Sequence, residues 1–126
     1  MVLALRSLKE ATIRAMGMST QLDTQAAAVT AVAYTASGAI AEADNVITIA
    51  TDAQAYTIAQ PRTGRILVIK QSGAGTITVT LTQGTYDGTN NTATFNAANE
   101  TLVLLGISDK RFLILDNIGS VALSSV

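Results

Sequence analysis

The chain has 126 residues, 48% apolar and 13% charged, with a net charge of −1 and neither cysteine nor histidine. Those absences exclude disulfides, thiolate nucleophiles, imidazole bases and the commonest transition-metal ligands, and the near-neutral charge gives no drive for general nucleic-acid binding. A charged share about half the usual ~25% leaves a surface of Thr, Ser, Asn, Gln and Ala, which suits contact with another protein.

Residues 2 to 16 read as a short amphipathic helix. Leu5, Leu8, Thr12 and Met16 recur at spacings of three and four, with Ala4, Ala11 and Ala15 beside them. Arg6, Lys9, Glu10 and Arg14 take most of the remaining arc, interrupted by Leu3 and Ile13, and Gly17 is a natural stop. A helix of about fifteen residues is marginal alone in water and needs a surface to lie on. The expectation is a docking segment, with Leu5, Leu8 and Ile13 as apolar anchors and Arg6, Lys9 and Arg14 meeting acidic groups of a partner. The competing reading makes those cations the wet side of a helix. Charges inside the first apolar run are wrong for a secretory signal, so the expected compartment is the cytoplasm or a particle assembled there.

Residues 18 to 44 are rich in Ala, Thr and Ser, and Asp23 is the lone charge between Arg14 and Glu42. Alanine favours helix over Gln25 to Val32, whereas Val29, Thr30 and Val32 oppose it. The zone is expected to be an extended arm whose last part, around Ala31 to Tyr34, forms a first strand. Residues 1–44 are thus taken as an interaction segment and 45–126 as a β-sandwich domain.

From Asn45 the apolar period becomes two. Eight strands are predicted: 46–49, 56–58, 65–70, 76–81, 92–95, 101–105, 112–115 and 121–123. Turn residues separate them at intervals of roughly ten, the rhythm of an antiparallel sandwich or barrel. No helix-length run intervenes, which argues against a parallel α/β sheet. In 65–70, Leu67 and Ile69 point to one face and Ile66, Val68 and Lys70 to the other, so the strand should be covered on both sides. In 76–81, Ile77, Val79 and Leu81 should face the core, and Thr76, Thr78, Thr80 and Thr82 should form an outer ladder. Ser72-Gly-Ala-Gly75 is expected to close a hairpin between these two strands.

Chemistry finds little footing. Gly73-Ala-Gly75 is followed by strand rather than the helix N-terminus that a phosphate loop requires. Asp44, Asp52, Asp87, Glu100, Asp109 and Asp116 lie near loops and read as solvated turn acids; neither a glycosidase pair nor a calcium loop is spaced among them. Ser72 and Ser108 have no histidine to activate them. Asn90-Asn-Thr92 and Asn99-Glu-Thr101 match the glycosylation sequon but read as turns without a secretion signal. Tyr34, Tyr56, Tyr86, Phe95 and Phe112 are expected in the core or an interface rather than on a sugar-stacking platform. No cofactor, metal, membrane span or nucleic-acid partner is expected.

The stretch Pro61-Arg-Thr-Gly-Arg-Ile-Leu-Val-Ile-Lys-Gln-Ser-Gly-Ala-Gly-Thr-Ile-Thr-Val-Thr80 resembles a sandwich module common in tailed-bacteriophage virion proteins. There a hairpin built of a Gly-Arg/Lys-apolar run, Ser/Asn-Gly-Ala-Gly-Thr and alternating Thr-Val-Thr is followed by a Gly-rich turn. The likeness continues in the turn Tyr86-Asp-Gly88, the corner Ala97-Ala-Asn-Glu100 and the strand Arg111-Phe-Leu-Ile-Leu115, over about residues 61 to 118. It implies an all-β, jelly-roll-like antiparallel β-sandwich with an N-terminal helix and extended arm. The implied function is that of a capsid decoration (cement) protein, not an enzyme. Such a protein binds the outside of the phage head as a homodimer or homotrimer and bridges copies of the major capsid protein. A head or tail fibre, receptor-binding module is the alternative reading, and a small carbohydrate-active hydrolase the third.

Overall fold

The computed structural model describes residues 30–126, so the helix expected over 2–16 and the arm over 18–29 lie outside the described residues. Ten strands follow: β1 (Val32–Tyr34), β2 (Gly38–Ala39), β3 (Val46–Ile49), β4 (Ala55–Ile58), β5 (Ile66–Gln71), β6 (Ile77–Leu81), β7 (Thr92–Phe95), β8 (Thr101–Ser108), β9 (Arg111–Ile118) and β10 (Ala122–Ser124). All eight strands predicted after Asn45 are present, and β1 falls where the end of the arm was expected to become a strand. The two-residue β2 has no periodicity of its own and gave no local signal. No helix occurs among the described residues.

The strands form two five-stranded mixed sheets. The first sheet runs β1-β3-β5-β8-β9 and the second β10-β7-β6-β4-β2. They share one apolar core, to which the first contributes Ile47, Ile49, Leu67, Ile69, Leu102, Leu104 and Phe112. From the second come Tyr56, Ile58, Ile77, Val79, Leu81, Ala93 and Phe95. Full burial of each large aliphatic side chain contributes about 1.5–3 kcal/mol. The result is a sandwich-like all-β fold.

Its connectivity corrects the antiparallel jelly-roll expectation. The first six strands alternate between the sheets, and each pairs in parallel with the strand two places along: β1 with β3, β3 with β5, β2 with β4, and β4 with β6. The chain therefore winds like the coils of a β-solenoid, with Val32 beside Ile47 and Ile47 beside Ile69. Parallel pairing usually needs a long crossover within one sheet. Here the intervening strand in the opposite sheet is the crossover, so no helix is required. The remaining pairings, β7 with β6, β8 with β5, β9 with β8 and β10 with β7, are antiparallel and finish both sheets.

The Ser72–Gly75 hairpin is corrected by the same topology, because β5 and β6 belong to different sheets. The glycines serve close approach between successive coils. A Cβ on Gly73 would stand 2.3 Å from the Ala50 carbonyl oxygen. Gly75, at φ +114°, leaves room for Asp52, whose Oδ1 accepts the Thr76 and Ala53 amides at 2.8 and 2.9 Å. The Ala53 amide also donates to the Thr76 carbonyl at 3.0 Å, so the turn after β3 braces the crossing from β5 to β6.

Alternation behaves as predicted in β6. Ile77, Val79 and Leu81 are buried, while Thr78 and Thr80 are half-buried and Thr76 and Thr82 exposed on the other side. Thr80 and Thr92 join their hydroxyls at 3.1 Å across β6 and β7.

Candidate interaction face

The described carboxylates are dispersed, and several are engaged locally. Asp87 accepts the Thr89 and Asn90 amides at 2.9 and 2.7 Å and the Asn90 side chain at 2.9 Å. These bonds, the Asn90 amide first, hold its carboxyl below the ordinary value. Glu42 pairs with Arg62 at 3.3 Å on the surface. Asp44 accepts the Tyr34 hydroxyl.

Two acids depart from the solvated-turn expectation. Glu100 is buried, its Oε1 accepting the Asn96 amide at 3.0 Å, because the corner folds back between Gln71 and Gly119. Asp116 lies inside β9 rather than in a turn. Among the described residues, no three acidic side chains gather where a metal ion could be held.

One polar cluster ties the start of the fold to its centre. The buried Arg65 donates through Nη2 to the carbonyls of Ala41 and Asp44 at 3.0 and 2.9 Å. Burial lowers its pKa, opposed by nearby Glu42 and Asp44. The Ala41 amide donates to the Tyr34 hydroxyl at 2.9 Å, and the Tyr56 hydroxyl to the Tyr34 carbonyl at 3.0 Å. Burial, then the bond to Asp44, raises the Tyr34 hydroxyl. Arg65 Nη2, the Ala41 amide and the Tyr34 and Tyr56 hydroxyls all hold the segment from β1 to β3 in place, while Arg65 Nε and Nη1 are buried without a partner among the described residues. It is a structural clasp.

The aromatic rings also take structural positions. Tyr56, Tyr86, Phe95 and Phe112 are buried, and Tyr34 packs on the core edge-on to Tyr56 at 5.9 Å. Tyr86 stacks on Phe112 at 6.0 Å and donates its hydroxyl to the Val79 carbonyl at 2.9 Å. No platform for sugar stacking is built from these five rings.

The outer face of the first sheet is different. Directly paired residues share a face, so the registers place Ile66, Leu105 and Leu113 in one row across β5, β8 and β9. A second row holds Val46, Val68, Val103 and Asp116, and a third Thr48, Lys70, Thr101 and Ile118. A shift in register between Val103 and Leu104 adds Leu115 to the rim. Ile66, Leu113, Leu115 and Ile118 are 42–52% exposed. Ile107 continues the strip near the end of β8. Scattered exposed aliphatics are ordinary, but two registered rows of largely aliphatic residues with Leu115, Ile118 and Ile107 beside them are not.

The strip revises the prediction that β5 is covered on both sides. Leu67 and Ile69 are fully buried, yet the opposite face is open at Ile66, 51% exposed. The signal for an interaction face was therefore present in the apolar runs of β5, β8 and β9, which are too continuous for strands with one wet side. The expected partner-binding residues Leu5, Arg6, Leu8, Lys9, Ile13 and Arg14 lie outside the described residues.

No known protein family matches the chain, and no curated protein or solved structure matches it either.

Proposed function

We propose that this chain is a non-catalytic structural protein of a tailed-phage virion, most specifically a capsid decoration protein. In this reading the two-sheet sandwich is a rigid block on the outside of the head. The N-terminal segment, a helix over 2–16 and an extended arm, fastens it to the major capsid protein. The protein is made in the host cytoplasm and resides on the capsid surface. Stabilisation follows from mass action, because only the assembled shell offers the complete binding site.

The observation that carries the reading is the apolar outer face of the first sheet, on a chain with only 13% charged residues. An exposed strip of Ile, Val and Leu costs solubility unless a partner covers it. The virion setting rests on the resemblance over residues 61 to 118. The test is co-sedimentation of the purified chain with empty heads of its own phage. Saturable binding is expected, and Leu5→Asp with Leu8→Asp should abolish it. Failure to co-sediment removes the decoration role, and undiminished binding by that double variant removes the role of the N-terminal segment.

A further inference from the structure

We infer that the outer face of the first sheet is the interface of a two-fold symmetric dimer of this chain. The inference deepens the assembly reading above and rests on it for the view that the face is covered.

The face has the pattern that a second copy would complement. Its centre is β8, with Val103 and Leu105 facing outward and half-buried, flanked by β5 on one side and β9 on the other. Lys70 stands on the β5 flank and Asp116 on the β9 flank, two strands apart across the sheet and one row apart along it, about 12 Å at ordinary strand geometry. Among the described residues neither forms an ion pair. One cation and one anion on opposite flanks of an apolar centre is a self-complementary arrangement.

A two-fold axis running along β8, between two facing sheets, exchanges the flanks and keeps each row at its own height. Ile66 then lies over Leu113 of the partner subunit, and Val103 and Leu105 lie over their own symmetry mates. Val68 lies over Asp116 of the partner subunit, one row from Lys70 and within reach of its ammonium group. The same contact forms twice, as an isologous interface requires. Apolar rows supply the area, and the two charge pairs set the register and oppose other alignments.

Edge-to-edge pairing of β9 predicts something different. The Thr85 amide and carbonyl bond Lys110 and Phe112 at the start of β9, and from Leu113 onward no strand flanks its outer side. Pairing two copies there would leave Lys70, two strands inward, far from Asp116 of the other copy. The face and the edge are thus separable by charge.

Sedimentation velocity on the full chain across a concentration series tests the inference. A reversible dimer is expected. Lys70→Glu and Asp116→Lys should each weaken association by about tenfold or more, because each sets like charges opposite one another. The double variant Lys70→Glu with Asp116→Lys should recover most of that loss. Leu113→Asp should abolish the dimer, with thermal unfolding of each variant followed to show that it remains folded. A chain that stays monomeric, forms a trimer, or dimerises regardless of Leu113→Asp overturns the inference. So does a double variant no tighter than its parents. Head binding by a wild-type monomer would retire the dimer and keep the decoration reading; a dimer that ignores heads would do the reverse.

Discussion

Asp52 and Gly75 are fitted to each other across successive coils. A Cβ on Gly75 would lie 2.3 Å from Asp52 Oδ1, the same oxygen that accepts the Thr76 amide at 2.8 Å. Gly75→Ala should therefore destabilise the fold twice, by steric conflict and by forcing an L-residue to φ +114°. A loss of about 1–3 kcal/mol is expected in urea unfolding. A loss under half of the lower figure would show that the turn after β3 yields freely.

Arg65 is predicted to matter through its two carbonyl partners. Arg65→Met keeps much of the buried stem but leaves the Ala41 and Asp44 carbonyls without their charged donor. About 2–4 kcal/mol of stability should be lost. Hydrogen exchange at Val32–Tyr34 and Gly38–Ala39 should accelerate more than at β7, because the clasp holds the first coil.

Neighbours in β9 should respond oppositely. Phe112 is fully buried and stacked on Tyr86, whereas Leu113 is 42% exposed on the outer face. Phe112→Ala should cost about 3–5 kcal/mol, and Leu113→Ser within about 0.5 kcal/mol in the unfolding of the monomer. Equal costs would contradict the assignment of faces.

Tyr86→Phe isolates one hydrogen bond. The hydroxyl is fully buried against the Val79 carbonyl, and burial drives its pKa far above the ordinary tyrosine value. The ring and its stacking survive the substitution, so a loss of about 1 kcal/mol is expected. No titration of this tyrosine should be seen below the alkaline unfolding transition.

Asp87 gives the fold a modest dependence on acid. Its folded pKa is depressed, so its contribution is fully present above the unfolded value, near 3.8, and is lost as pH falls through the lower folded value. Asp87→Ala should be less stable than wild type at neutral pH, with the gap narrowing below the ordinary aspartate range. Denaturant melts at a series of pH values would show this; a gap that widens in acid would contradict it.

The prediction of a Gly73–Gly75 hairpin failed for a definite reason. Glycines that permit a tight turn also permit one backbone to lie close to another, and Gly73 beside Ala50 is the second case. Likewise Glu100, in an Ala-Ala-Asn-Glu corner that reads as solvent-facing, is buried because the corner folds over Gln71. Neither outcome has a local signature, since both depend on residues far away in the chain.

What the residues decided by themselves is where strands lie and which side of each is apolar. Alternation in Ile77, Val79 and Leu81 follows from pleat geometry, which is local and holds whatever the partner strand. Only tertiary structure decided the partners. Period two is the same for a hairpin, a jelly roll or a solenoid coil, and the choice among them is made when both sheets close over one core. The outer strip of Ile66, Leu105 and Leu113 belongs to that second class. Its members are scattered along the chain and become one surface only through the register of β5, β8 and β9.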